Sequence, residues 1–164
     1  MPVGVYPGSF DPLTTAHLAI ADAAIERFGL DQLDLVLSRV ALAKEAAQQS
    51  SIDERIAAIE RAAAHRPLRA LATDARLLAD IAAGYDVCVL GADKWHQLHD
   101  PAFYGRSTAE RDAALLRLPM LAVAPRHGSP NPPPATGVVL LDVDPRWRRV
   151  SSSAVRAGRD EWRA

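Results

Sequence analysis

The segment GSFDPLTTAH, residues 8–17, gathers side chains that could bind a phosphate group. Gly8 lets a ligand approach the backbone closely, and Pro12 stiffens the loop after Asp11. A helix that begins a few residues later presents unpaired backbone N–H groups at its start, and these attract phosphate. His17 lies about one turn into that helix, where its imidazole can donate a hydrogen bond and, when protonated, add positive charge. The spacing predicts an anion-binding turn; the other interpretation is a structural corner with an exposed histidine.

A second polar stretch, VSSSAVR at residues 150–156, lies near the other end of the sequence. Its serines can cap a helix, offer hydroxyl groups and expose N–H groups to phosphate. From Arg146 onward there are six arginines and two acidic residues, although the whole chain carries a net charge of only −1. A basic segment on a nearly neutral chain can serve one compact anion. Taken alone, it is also typical of a solvated surface.

The elements that must position these two stretches alternate along the chain. Apolar runs predict strands at residues 3–6, 33–40, 68–71, 86–90, 120–124 and 138–143. Helical spacing predicts helices over residues 15–28, 74–83 and 109–118, and a capping box formed by Ser51 and Glu54 predicts a further helix that ends near Pro67. This alternation favours a Rossmann-like α/β fold, with a doubly wound, mainly parallel sheet of five to six strands and helices on both faces. Ligands of such sheets bind beyond the carboxyl ends of the strands, where residues 8–17 are expected.

The two polar stretches also resemble the signatures of a known family. GSFDPLTTAH resembles the G-x-F-D-P-x-[H/T]-x-G-H signature of the adenylyltransferase branch of the nucleotidyltransferase superfamily, with Ala16 where glycine is usual. VSSSAVR resembles the I-S-S-[ST]-x-[IV]-R signature of the same family. The resemblance implies that both stretches hold the phosphates of ATP, with His17 and Arg156 as catalytic groups. The other residues that it implies at the nucleotide are Gly8, Ser9, Phe10, Asp11, Thr14, Ser151, Ser152 and Ser153.

Three further segments resemble the nicotinate and nicotinamide mononucleotide adenylyltransferases. VLGADKW resembles their G-[AS]-D element and implies Gly91 and Asp93 beside the nucleotide. LAVAPRHG resembles their strand that ends in an Arg-x-Gly turn and implies Arg126 there as well. Lys44 and Arg55, the latter with Glu54 before it, resemble the lysine and the helix that flank the acceptor pocket of these enzymes. We also expect Trp95 to stack on the substrate.

The implied activity is the transfer of AMP from ATP to a pyridine mononucleotide, with pyrophosphate released and Mg²⁺ bound to ATP rather than to dedicated protein ligands. The short chain and Thr14 are closer to the phosphopantetheine adenylyltransferases, which are one alternative. The other alternative, suggested by Ala16, is a nucleotide-binding module without turnover. An R-T-x-G-I-S-T signature is absent, which disfavours the cytidylyltransferase branch.

Composition sets the remaining expectations. With 164 residues, of which 49% are hydrophobic and 24% charged, the chain is expected to form one nucleotidyltransferase domain over residues 1–164. Cys88 is the only cysteine and lies in an apolar run, so a buried, inert thiol is expected. No apolar run approaches the roughly 20 residues that cross a bilayer, and we expect a cytoplasmic protein. The near-zero net charge predicts neither nucleic acid nor membrane as a partner, and leaves a homo-oligomer open.

Overall fold

A computed structural model describes residues 1–39 and 51–164. The strands are β1 (Val3–Pro7), β2 (Gln32–Ser38), β3 (Leu68–Thr73), β4 (Val87–Gly91), β5 (Met120–Ala124) and β6 (Val138–Leu140). They form one six-stranded sheet in the order β3-β2-β1-β4-β5-β6, and every neighbouring pair is parallel. The order reverses between β1 and β4, which is where a doubly wound sheet forms its ligand crevice.

Helices cover both faces of this sheet, as the sequence predicts. They are α1 (Thr15–Phe28), α2 (Ile52–Ala62), α3 (Leu78–Ile81), α4 (Ala92–His99), α5 (Thr108–Leu116) and α6 (Ser152–Arg156). Successive strand residues point to opposite faces, so each strand contributes to two apolar layers. Tyr6 packs in the layer that contains residues of α1 and α2. Val5 packs in the layer that contains residues of α4. The Rossmann-like α/β prediction is confirmed.

Several predicted boundaries agree with the structure, most others differ by one or two residues, and two predictions differ more strongly. Helix α1 and strand β5 have the predicted bounds, and the capping box at Ser51 and Glu54 forms. The predicted strand 138–143 ends at Leu140. The helix predicted over 74–83 is wrong, because only the short α3 forms there. The backbone of Ala75 instead bonds to the hydroxyl groups of Thr73 and Ser38 on the neighbouring strands, which holds the start of this segment extended.

The carboxyl ends of β1, β4 and β5 deliver the polar segments to one edge of the sheet. Residues 8–14 follow β1, α4 follows β4 directly, and residues 125–128 follow β5. Cys88 is buried in β4, as expected, and burial raises the pKa of its thiol to about 12, which disfavours the reactive thiolate. Within the described ranges, no helix is long and apolar enough to cross a membrane.

Candidate active site

The loop that follows β1 is organised around the ring of Phe10. This residue has a φ of 47°, in the left-handed region that bulky side chains rarely adopt. Its ring is 2% exposed and packs edge-on against Tyr6 and His17, with centroids 5.2 and 5.0 Å away. A Cβ atom at Gly8 would lie 2.9 Å from the Phe10 ring, so glycine is required there. The buried ring therefore holds the strained backbone in place.

His17 completes the cap of helix α1. The Thr14 hydroxyl accepts a hydrogen bond from the His17 backbone N–H at 3.2 Å, and the Thr14 backbone N–H donates to His17 Nδ1 at 3.0 Å. This is a capping box in which histidine stands where glutamate or glutamine is usual. Because Nδ1 accepts a hydrogen bond, the neutral ring carries its proton on Nε2. The cap thus selects the tautomer that His17 can offer to a ligand.

The environment of His17 keeps its ring neutral. Burial, and secondarily the positive charge of Arg126, lower the pKa of His17 from 6.5 to about 3. The positive charge that protonation would add is therefore absent near neutral pH. His17 can act at this site as a hydrogen-bond donor through Nε2, while positive charge must come from arginine.

The second polar stretch packs directly on the first. Arg156 Nη1 donates to the backbone carbonyl of Asp11, and its Nη2 donates to the Ser153 hydroxyl at 3.2 Å. The Ser152 hydroxyl donates to the carbonyl of Pro12 at 2.7 Å. These contacts join segments about 140 residues apart in the sequence. The two stretches that sequence analysis singled out separately therefore form one surface.

Three residues predicted from β4 and β5 adjoin this surface. Arg126 Nη1 donates to the carbonyl of Val150 at 3.1 Å, and its Nε lies 3.9 Å from a carboxylate oxygen of Asp93. A Cβ atom at Gly91 would lie 2.6 Å from that Asp93 oxygen and 3.3 Å from Arg126 Cγ. Glycine at position 91 is what lets these two side chains approach the end of β4.

Some predicted binding groups are used within the protein. The Thr14 side chain is fully buried and caps α1, and the Ser151 hydroxyl caps α6 by accepting from the Ala154 N–H at 3.0 Å. Asp11 is 1% exposed, and Arg156 reaches its backbone rather than its carboxylate. At these positions, side chains that were predicted at the nucleotide hold the loop and helix ends in place.

Of the residues predicted at the acceptor, the structure describes Arg55 and Trp95, which lie on different helices. Lys44 falls outside the described residues. Arg55 is 4% exposed on α2 and donates to the Ser9 carbonyl at 2.8 Å, so it fixes the backbone of the loop after β1. Trp95 packs in the apolar layer on the α4 face, and its ring lies against His99 with centroids 4.3 Å apart. That contact occupies part of the ring surface on which stacking was predicted.

A basic cleft of about 460 Å³ adjoins Arg126 and Ser151. The other residues that line it are His127, Arg148, Arg149, Ala154, Arg159 and Trp162. The basic segment is recognisable from its charge in the sequence, but these individual residues and Tyr6 are not. The arginine count was a usable signal for the cleft, whereas Tyr6 had none, because an aromatic residue at a strand end is usually core.

The charge of this site suits an anion better than a bare metal ion. In residues 1–39 and 51–164, no three side chains of the histidine, cysteine, aspartate and glutamate types are placed to hold a metal. Arginine and neutral N–H donors dominate instead. The arrangement can bind and orient phosphate groups between the ends of β1, β4 and β5.

Comparison with known proteins agrees with this arrangement. A family model described as cytidylyltransferase-like matches residues 5–158. A probable nicotinate-nucleotide adenylyltransferase of Rhizobium etli is 32% identical over 111 residues, which cover 60% of this chain and 58% of that protein. A phosphopantetheine adenylyltransferase of Geobacter metallireducens is 38% identical over 90 residues, which cover 54% of this chain and 51% of that protein. The chain thus matches between half and three fifths of the length of these two relatives.

A shorter match and a solved structure complete the comparison. A probable nicotinate-nucleotide adenylyltransferase of Agrobacterium fabrum is 39% identical over 61 residues, 37% of this chain and 33% of that protein. The solved Plasmodium falciparum nicotinic acid mononucleotide adenylyltransferase complexed with APC superposes with a TM-score of 0.61 at 15% identity. It covers 95% of this chain and 82% of that one, which shows a common fold.

Proposed function

The chain belongs to the cytidylyltransferase-like family, and from this premise we propose that it is an adenylyltransferase that uses ATP. It transfers AMP to a small acceptor that bears a phosphate group, and it releases pyrophosphate. The observation that carries the proposal is a pair of contacts between the two motifs. Arg156 donates to the Asp11 carbonyl and Ser152 to the Pro12 carbonyl, so both motifs lie side by side. Residues 1–164 act as one domain in this proposal, because both motifs lie at one edge of one sheet.

The reaction requires that the two substrates be aligned and that charge on the phosphates be stabilised, and it does not require a strong base. A phosphate oxygen of the acceptor attacks the α-phosphorus of ATP, the bond to the bridging oxygen breaks, and the pair of electrons leaves with pyrophosphate. The acceptor phosphate is already ionised, so no proton needs to be removed first. Orientation and preorganised donors then supply most of the rate enhancement.

The residues of the site divide this work by their charge. His17, which the cap holds with its proton on Nε2, donates to an oxygen of the α- or β-phosphate. Arg156 joins the motifs through its bond to Asp11, donates to Ser153 within its own motif, and directs the rest of its guanidinium toward the leaving pyrophosphate. Arg126 adds positive charge from the end of β5. Asp93, at the start of α4, accepts hydrogen bonds from ribose hydroxyl groups.

Mg²⁺ enters this reaction with ATP as part of the substrate. The donor set fits that role, because the described residues offer cations for the phosphates and no three-ligand group for a resident metal. Mg²⁺ prefers oxygen ligands and keeps several waters, so the phosphate oxygens of ATP and water molecules can supply most of its ligands.

For the acceptor, we propose a pyridine mononucleotide. The close approach of Asp93 and Arg126 over Gly91 supports this choice, since these are the residues that resemble the pyridine-nucleotide enzymes. Phosphopantetheine is the second candidate. It is favoured by Thr14 in the first motif and by the relative of Geobacter metallireducens.

An acceptor panel tests the proposal. The protein is incubated with ATP, Mg²⁺ and one of nicotinate mononucleotide, nicotinamide mononucleotide or phosphopantetheine, and pyrophosphate release is measured. Release with a pyridine mononucleotide is the expected result. Release with phosphopantetheine alone would show that phosphopantetheine is the acceptor and that the proposed reaction is correct. Binding of ATP without release for any acceptor indicates a nucleotide-binding module instead.

A further inference from the structure

Tyr6 stands at the carboxyl end of β1, directly before the first motif. Its side chain is largely buried, at 6% exposure. The ring packs edge-on against Phe10 at 5.2 Å and lies 6.1 Å from the ring of His17, between centroids. It therefore forms part of the same wall as His17, and no role has been assigned to it above.

The hydroxyl group of Tyr6 differs from those of the other tyrosines. The chain has three tyrosines, all within the described ranges. Tyr85 donates to Asp34 at 2.7 Å, and Tyr104 donates to the Leu98 carbonyl at 3.0 Å. The Tyr6 hydroxyl has no hydrogen-bond partner among the residues that the structure describes. The Tyr6 hydroxyl is also not among the buried side-chain atoms that lack a partner, so it is accessible from outside although most of the residue is buried. A buried phenol usually finds its partner within the protein, whereas this accessible one is available to a ligand.

The surroundings of Tyr6 set the protonation state of its hydroxyl. Burial raises the pKa of Tyr6 well above its ordinary value of 10, with opposing smaller contributions from Arg126 and Asp93. The phenol is therefore a neutral O–H donor at every physiological pH. Because β1 lies beside β4 in the sheet and β4 beside β5, Tyr6 at the end of β1 is near the strand ends that carry Asp93 and Arg126.

We propose that the Tyr6 hydroxyl donates a hydrogen bond to a phosphate oxygen of the ligand that His17 contacts. The identity of that ligand rests on the proposed function. The phosphate can belong to ATP or to the acceptor, since the reaction brings the two together at the α-phosphorus. Tyr6 and His17 then act as neighbouring neutral donors on one wall, opposite the positive charge of Arg126.

The test compares Tyr6→Phe with a matched control, Tyr104→Phe. Both changes remove one hydroxyl group and keep the ring. We measure the affinity for a non-hydrolysable ATP analogue, the affinity for each acceptor, pyrophosphate release and the melting temperature. A hydrogen bond between a neutral donor and a charged acceptor is strong, so Tyr6→Phe should weaken one of the two ligands about tenfold or more. The ligand whose affinity falls, the ATP analogue or the acceptor, carries the phosphate that Tyr6 contacts.

The two variants should show opposite effects on stability and binding. Tyr6→Phe loses no hydrogen bond within the protein, so its melting temperature should stay within a degree or so of the wild type. Tyr104→Phe should melt at a lower temperature and bind both ligands normally. Ligand affinities of Tyr6→Phe within about twofold of the wild type overturn the proposal. A fall in its melting temperature as large as that of Tyr104→Phe also overturns it, since the hydroxyl then serves the fold.

Failure of the proposed function is distinguishable from failure of this inference. If the wild type binds the ATP analogue but releases no pyrophosphate with any acceptor, the proposed transfer is wrong, and the analogue affinity of Tyr6→Phe still decides the role of the hydroxyl. If the wild type binds neither ATP nor an acceptor, both proposals are overturned.

Discussion

Two buried polar clusters lie on opposite faces of the sheet, one register position apart. Val5 pairs with Asp34, and Tyr6 pairs with Leu35. The Asp34 carboxylate is fully buried and accepts hydrogen bonds from Gln32, from Tyr85 and, through two nitrogens, from Arg69. Burial alone raises its pKa, but these hydrogen bonds outweigh burial and lower the pKa below 3.8.

The cluster of Tyr6 and His17 is built differently. His17 uses Nδ1 for the helix cap and keeps its Nε2 proton for other contacts, and the Tyr6 hydroxyl has no partner in the described chain. A polar group in the interior is costly unless it is hydrogen-bonded. The Asp34 cluster avoids that cost with its own side chains, which is typical of a structural network. The donors of Tyr6 and His17 are not among the buried side-chain atoms that lack a partner in the described chain, so they remain available to a ligand, which is typical of a binding site.

The largest expected effect is on turnover when His17 is removed. His17→Ala should lower pyrophosphate release by about 10²–10³-fold, because one preorganised donor to the reacting phosphates is lost. It also removes half of the capping box, at a cost of about 1 kcal/mol in the free energy of unfolding. Steady-state kinetics and thermal unfolding separate the two effects.

A matched variant sharpens this result. His17→Gln keeps an acceptor for the Thr14 N–H, as in the usual capping box, so its stability should recover while turnover stays low. Turnover within about threefold of the wild type in either variant would show that His17 serves the helix alone.

The next effect concerns the structural cluster and should spare turnover. Arg69→Met leaves the buried Asp34 carboxylate without its only described ion-pair partner. Removing one partner of a buried pair costs about 3–5 kcal/mol. Because the Arg69 side chain is 54% exposed, we expect a loss nearer 2–3 kcal/mol in the free energy of unfolding. Chemical denaturation at pH 7 measures it.

The pH dependence of the same variant provides a check. The pKa of Asp34 is lowered in the folded state, so the stabilisation from its ionised form is complete above pH 3.8 and is lost as the pH falls through the folded pKa. The difference between wild type and Arg69→Met should therefore shrink below about pH 4. An equal difference at pH 7 and pH 3, or a large fall in turnover, would contradict the structural assignment.

His17 predicts a pH dependence with a different window. Its pKa falls from 6.5 to about 3 on folding, so below pH 6.5 the unfolded chain binds a proton that the folded chain excludes. Stability should therefore decrease as the pH falls from 6.5 towards 3, by up to about 1.4 kcal/mol per pH unit. Unfolding of wild type and His17→Gln at pH 7.5 and pH 5 isolates this contribution. Parallel pH curves for the two proteins would contradict a neutral, buried His17.

The smallest expected effect is at Ala16. This residue is 1% exposed inside α1 and has no positive φ, in line with the helical conformation predicted for it. Ala16→Gly should lower the free energy of unfolding by about 1 kcal/mol, because alanine is the better helix former, and ATP affinity should stay the same. Melting temperature and ATP binding test this. A tenfold gain in ATP affinity would instead show that the methyl group obstructs the site.

Much of the fold could be predicted from the sequence because its signals are local. Mainly apolar runs, as short as residues 68–71 and as long as 33–40, predicted all six strands, and the bounds of α1 follow from helical spacing between Thr14 and Gly29. The helix predicted over 74–83 failed partly for a non-local reason, since the backbone of Ala75 bonds to Ser38, 37 residues away, as well as to its near neighbour Thr73. His17 and Arg156 could be named from motif spacing, but the contact of Arg156 with the Asp11 carbonyl in the first motif could not.

By itself, the sequence determined that strands and helices alternate and that two phosphate-type motifs stand near its two ends. The tertiary structure alone decided how each polar group is used. It buried Thr14 and Asp11, kept His17 neutral through burial and the charge of Arg126, and left the Tyr6 hydroxyl without a partner among the described residues. Partners across the sheet and burial set these properties. Both depend on chain segments far apart in sequence, so no local pattern of residue types encodes them.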